Sequence, residues 1–225
     1  FPRESISTEI IKINLVRLIY LSMVSIFMRI ITIISFINKE SSTDPNIIKW
    51  QNGILISHLV LLIIYSLINL ASRNLRKRSG STIMMNLLQY ISIISIHLSG
   101  IIISLIDQLV TNSINPYIIS SISIASIFLI KPLYSIILYL TGNIIFYLTM
   151  AYVIKDPSIL LSVRTISITI TALGILLSLI LWTSNVRNLD QKEIIERQRK
   201  ELQGKNRRLK ILSSQDSLTG LINRR

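Results

Sequence analysis

The sequence predicts an all-α membrane protein: six transmembrane helices with both termini cytoplasmic, followed by a coiled-coil signalling helix. Three observations carry that expectation. Half of the residues are hydrophobic (50%) and the mean hydropathy is +0.58, with apolar runs following one another through residue 184. A helix needs about 20 such residues to cross the hydrocarbon of a bilayer. The basic residues lie between and after these runs: 11 of the 24 Lys and Arg follow Ser184, and Arg73, Arg76, Lys77 and Arg78 form a second cluster. After Thr183 the composition turns abruptly charged and helix-forming, with no proline through Leu212.

Taken in order, a mixed-charge segment with Pro2 precedes a first span over about Leu15 to Ile37, with Arg17 placed to snorkel into the interface. This run is too long for a signal-peptide core and lacks a small-residue cleavage site. Because the chain opens on Phe1 rather than Met, further sequence is expected before it. A loop with Glu40, Asp44 and Pro45 leads to a second span, about Trp50 to Ala71, with Trp50 at interfacial depth. The basic loop 72–81 follows, then a third span over about Thr82 to Ile106, ending at Asp107. The fourth, Ile114 to Ile130, is the shortest and is diluted by Ser120, Ser121, Ser123 and Ser126. Pro132 suits the first turn of the fifth span, about Leu133 to Ile154. Lys155-Asp156-Pro157 turns the chain into the sixth, about Ser158 to Thr183.

Charge bias sets the orientation. With an even number of spans, Arg3, Lys12, Arg17, Arg73, Arg76, Lys77, Arg78 and Lys131 fall on the cytoplasmic side. The other side carries four basic residues, offset by Glu40, Asp44, Asp107 and Asp156, as the positive-inside rule requires. The net charge of +13 therefore reads as juxtamembrane lysine and arginine facing anionic lipid, with no nucleic-acid partner. The absence of cysteine excludes disulfides and thiolate metal sites.

From Asn185 to Leu212, Ile195, Leu202 and Leu209 recur every seven residues, with Gln198, Lys205 and Leu212 three residues after each. That is a heptad seam whose second position is mostly polar, weak by itself and suited to shifting register. A solvated amphipathic linker is the plainer alternative. Immediately beyond it stands Asp216-Ser-Leu-Thr-Gly-Leu-Ile-Asn-Arg-Arg225. Asp216, Leu218, Thr219, Gly220, Leu221, Asn223, Arg224 and Arg225 match the D-x-L-T-G-L-x-N-R-R signature, and the segment resembles the opening of a GGDEF domain. An N-capped helix start accounts for Asp216 but not for Thr-Gly-Leu.

This resemblance implies the domain order 1–184 membrane sensor, 185–213 signalling helix, and 214–225 the first residues of a GGDEF domain. It further implies a bacterial diguanylate cyclase of the cytoplasmic (inner) membrane, acting as a homodimer and making cyclic di-GMP from two GTP with Mg²⁺. The Gly-Gly-Asp/Glu-Glu-Phe loop of that family does not occur in these 225 residues, so they hold no catalytic centre. Alternatives are a degenerate GGDEF domain that only binds nucleotide, an additional downstream phosphodiesterase domain, and a transporter. The few intramembrane charges and the lack of internal repeats speak against the last.

Within the spans, ionisable side chains are functional candidates. Counting along the helices puts Arg29, His58 and His97 about 10 to 14 Å below the outer surface. Three readings stay open: separately satisfied structural residues, a small-ligand or signal site with Arg29 meeting an anion, and haem held by His58 and His97. No carboxylates share that depth, so no metal site is expected. Small-residue faces at Ser92, Ser95 and Ser99 and at Thr165, Thr169 and Ala172 are candidate helix contacts. An Asp107–Arg164 latch is a further candidate against plain solvated loop ends.

Overall fold

The computed structural model describes residues 4–39, 42–77 and 80–214. It contains six helices, α1 (Glu4–Ile37), α2 (Pro45–Lys77), α3 (Thr82–Asp107), α4 (Asn115–Ile127), α5 (Pro132–Val153) and α6 (Pro157–Ser214), and no strand among the described residues. Five of them, all but α4, are long and apolar enough to cross a membrane. Large hydrophobic side chains such as Ile56, Leu67, Ile83, Leu148 and Leu161 stand on the outside of the bundle. A water-soluble surface does not carry so continuous an apolar coat.

Proline and short polar side chains set the helix starts. Four of the five prolines lie in first turns, at Pro45, Pro116, Pro132 and Pro157, where a missing N–H costs nothing. Asp44 accepts the Asn46 amide at 2.7 Å, and Asp156 accepts the amides of Ser158 and Ile159 at 2.8 and 3.3 Å. Those caps satisfy N–H groups that no helical carbonyl can reach. These bonds, together with one from the Ser158 hydroxyl, hold the exposed Asp156 carboxyl below the usual carboxylate range. The turn after α3 passes through Asn112 at φ 52°, a left-handed position that asparagine tolerates.

The chain divides into two units, Phe1–Thr183 and Ser184–Arg225. In the first, α3 is the centre, packed on α1, α2, α4 and α5. Its buried residues run from Met85 to Ser104, while α2 turns one stripe inward: Ile54, His58, Leu61, Tyr65, Ile68 and Ser72. That three-four spacing is the ridge pattern of closely aligned helices. Polar bonds tie the helices together. Gln89 of α3 donates to the Ile11 carbonyl, Asn69 of α2 to Ile19, and the Tyr139 hydroxyl of α5 to Ser121.

The expected fourth span is where the structure departs most from the sequence reading. Its helix has 13 residues, about 20 Å, and ends at Ile127. Phe128, Leu129 and Ile130 continue outside the helix, yet are almost wholly buried. Their backbone groups need partners, and α1 supplies them. Asn14 donates through Nδ2 to the Leu129 carbonyl and accepts the Leu129 amide on Oδ1, both at 2.9 Å. Arg17 donates to the Ile127 carbonyl at 2.9 Å, so it caps this broken segment instead of snorkelling. Asn14 thus imitates one rung of a β-ladder inside a helical protein.

The small-residue stripe expected on α6 also moves. Thr165, Thr169 and Ala172 face outward, and the buried line is Val163, Ser167, Thr171, Gly174, Ser178 and Trp182. On α3, Ser92 and Ser99 are buried, and Gly100 stands close against Pro116 and Ser120 of α4. In the second unit, Ile195, Leu202 and Leu209 are exposed along the helix, and Glu201 pairs with Lys205 at 2.8 Å. The side chain of Leu212 and the whole signature Asp216–Arg225 lie outside the described residues.

Candidate functional site

The three ionisable residues singled out by depth do not gather at one place. Arg29 of α1 and His58 of α2 do meet, Arg29 Nη1 donating to His58 Nδ1 at 3.0 Å. That bond requires a neutral imidazole with its proton on Nε2. The guanidinium also stands 5.8 Å from the Tyr65 ring centroid, a cation–π approach. A cleft of about 370 Å³ opens around this pair. Ile96, Ser99, Gly100 and Ile103 of α3 line one wall, and Pro116, Ile119, Ser120 and Ser123 of α4 another.

His97 turns away from that cleft. Along α3 it stands about 100° round from Ile96 and about 60° from Gly100 at a helical 100° per residue, and its ring lies against Gly142 of α5. The ring centroids of Tyr117 and Tyr139 are 5.6 and 5.9 Å away. Neither ring nitrogen has a hydrogen-bond partner. It borders a different, largely apolar hollow of about 320 Å³ between α3 and α5. Gly142 is needed here because a Cβ would occupy the space of the imidazole.

This geometry does not fit a haem between the two histidines. His58 Nδ1 is engaged by Arg29, His97 is pressed on Gly142, and the two line separate hollows. Among the described residues no group of three His, Cys, Asp or Glu is placed to hold a metal.

The Asp107–Arg164 latch is absent. Asp107 accepts the Trp50 indole N–H at 2.9 Å, and Arg164 lies 4.0 Å over the Tyr147 ring. Trp50 in turn carries Lys39 at 4.4 Å and packs edge-on to Phe36 at 5.4 Å. An aromatic and charged layer of this kind marks an interface with water. Arg29 lies seven residues inside Phe36, about 10 Å deeper along the helix. Of the tyrosines on α5, Tyr134 and Tyr152 are exposed and Tyr139 is fully buried.

Sequence reasoning missed Asn14, Gly100 and Tyr117, and gave Arg17 a place at the lipid interface instead of its bond to Ile127. An asparagine beside an arginine one turn away, at the start of an apolar run, was the available signal for Asn14 and Arg17. Tyr117 links three helices: its amide donates to the Ser104 hydroxyl at 3.0 Å, its hydroxyl meets Thr171 at 3.3 Å, and its ring stacks on Phe146 at 4.0 Å. No protein-family model, curated protein or solved structure matches this chain.

Proposed function

We infer that this chain is the membrane sensor and signalling helix of a bacterial diguanylate cyclase. The observation that carries the reading is the eight-position match at Asp216, Leu218, Thr219, Gly220, Leu221, Asn223, Arg224 and Arg225. Its place supports it: the match directly follows a charged helix, which follows a set of long apolar ones. In this reading a catalytic domain begins at the signature and joins two GTP into cyclic di-GMP with Mg²⁺, one GTP on each subunit of a homodimer. Residues 185–213 form the dimer's coiled coil, with the exposed Ile195, Leu202 and Leu209 as its seam.

The proposed topology has six crossings in the inner membrane, with both ends in the cytoplasm. The fourth crossing is α4 together with residues 128–131. The helix gives about 20 Å and four extended residues about 13 Å more, enough for a hydrocarbon core of about 30 Å. This crossing places Lys131 with the cytoplasmic cluster Arg73–Lys77, in keeping with the charge bias. A stimulus in the membrane helices shifts α6, and the coiled coil converts the shift into a change in how the catalytic domains face each other.

The test is turnover by the complete protein in liposomes with GTP and Mg²⁺. Cyclic di-GMP formed by the dimer supports the reading. Tight GTP binding without product would instead identify a nucleotide-binding receptor with a degenerate catalytic domain.

A further inference from the structure

The Arg29 cleft has two properties that together specify a ligand. First, its cation has no counter-ion: among the described residues no carboxylate pairs with Arg29, its only hydrogen-bond partner is the neutral His58, and its Nε is buried without a partner. A guanidinium keeps its proton in proteins, and an unpaired charge at this depth is costly unless an anion joins it. Second, the cleft opens sideways into lipid. α1 and α4 make no extensive contact with each other, being joined at one end by the Asn14 and Arg17 bonds. Near Arg29 the rim is formed by Val24 and Met28 on α1 and Ile119 on α4, 61%, 53% and 64% exposed.

We propose that this cleft binds a single-chain amphiphile through its carboxylate, as a long-chain fatty acid would. The carboxylate pairs with Arg29, with His58 Nε2 as a further donor; the Ser99 and Ser120 hydroxyls on the walls already donate to the Ile96 and Tyr117 carbonyls. The chain leaves between Val24 and Ile119 into the bilayer. A carboxylate suits the depth better than a phosphodiester. A carboxylic acid reaches a point about 10 Å below the Phe36–Trp50 layer in its neutral form, and releases its proton to water once paired with the guanidinium. A phosphodiester is charged at every depth. The site rests on the membrane-spanning reading alone and stands or falls separately from the cyclase.

The experiment uses the full chain in phosphatidylcholine nanodiscs and a fluorescent anthroyloxy fatty acid as probe, displaced by palmitate. Arg29→Gln is expected to weaken palmitate about tenfold or more, the equivalent of one charge-assisted bond. Ile119→Trp, on the exposed rim where folding is undisturbed, is expected to weaken it as well. Methyl palmitate, which keeps the chain but loses the charge, is expected not to compete. Unchanged affinity in both variants, or equal competition by the ester, overturns the proposal. Displacement by acetate alone at palmitate's concentration overturns the role of the chain. Loss of probe binding in phosphatidylglycerol discs overturns the carboxylate in favour of a phospholipid headgroup.

Discussion

Replacing Asn14 with alanine removes both bonds that hold the backbone of Leu129. Ordinary interhelical hydrogen bonds in membranes are weak, about 0.6 kcal/mol on average, because the freed groups find other partners. Leu129 is different, since its N–H and C=O belong to a non-helical backbone that is 3% exposed and has no neighbouring turn to return to. Leaving a buried donor or acceptor unmade costs about 1 to 3 kcal/mol each. Two of them give about 2 to 6 kcal/mol, with the lower half favoured if water enters beside Lys131. Asn14→Asp keeps the acceptor for the Leu129 amide, loses the donor and buries a charge, so it should be no better than alanine. Unfolding in mixed micelles with rising SDS, followed by tryptophan fluorescence, reads the difference; Trp182 lines the same hollow as Asn14 and Leu129. A loss below about 0.5 kcal/mol for Asn14→Ala, within the range of an incidental surface change, would refute the argument that this amide holds the break.

Other expectations rest on the same contacts. Gly100→Ala places a Cβ against Ser120 and 2.9 Å from the Pro116 carbonyl; backbone cannot yield as a side chain does, so a loss of about 1 to 3 kcal/mol should appear in the same unfolding assay. Trp50→Phe strips the donor from the half-buried Asp107. A double-mutant cycle with Asp107→Ala should return a coupling of about 1 kcal/mol, and a value near zero would mean the bond is replaced by water. For Asp156 the folded pKa is depressed below its ordinary 3.8. Its contribution to stability is therefore complete above that value and lost as pH falls through the lower folded one. Carboxyl carbon NMR of a ¹³C-Asp sample should place the Asp156 midpoint below those of aspartates in unstructured peptide.

Much of the fold was legible because its determinants are local. Pro45, Pro132 and Pro157 break the chain where a first turn begins, and the apolar runs between them leave little alternative to long helices. The end of α4 was not legible. Phe128, Leu129 and Ile130 are as apolar as the helix before them, and only a partner 115 residues away makes their extended backbone acceptable. Counting residues put Arg29 and His58 at one level, and they meet at 3.0 Å, but a shared level carries no information about rotation. His97 sits at a similar level and faces another helix, because its azimuth on α3 is fixed by the packing of Ile96, Ser99 and Gly100. The α6 stripe failed for a related reason: serine and threonine are so frequent here that several faces look alike, and Gly174, which admits the Tyr139 ring, selects among them.

The central claim is that the membrane helices and the helix after Thr183 govern a catalytic domain through rotation and register. The most direct test inserts one, two, three or four residues after Gln203 in the complete protein and measures cyclic di-GMP formation. Each added helical residue turns the downstream chain by about 100°, so two residues place the seam about 200° away, while four return it to within about 40°. The account predicts the largest change in activity at two and near-recovery at four. Equal activity across all four insertions would contradict it.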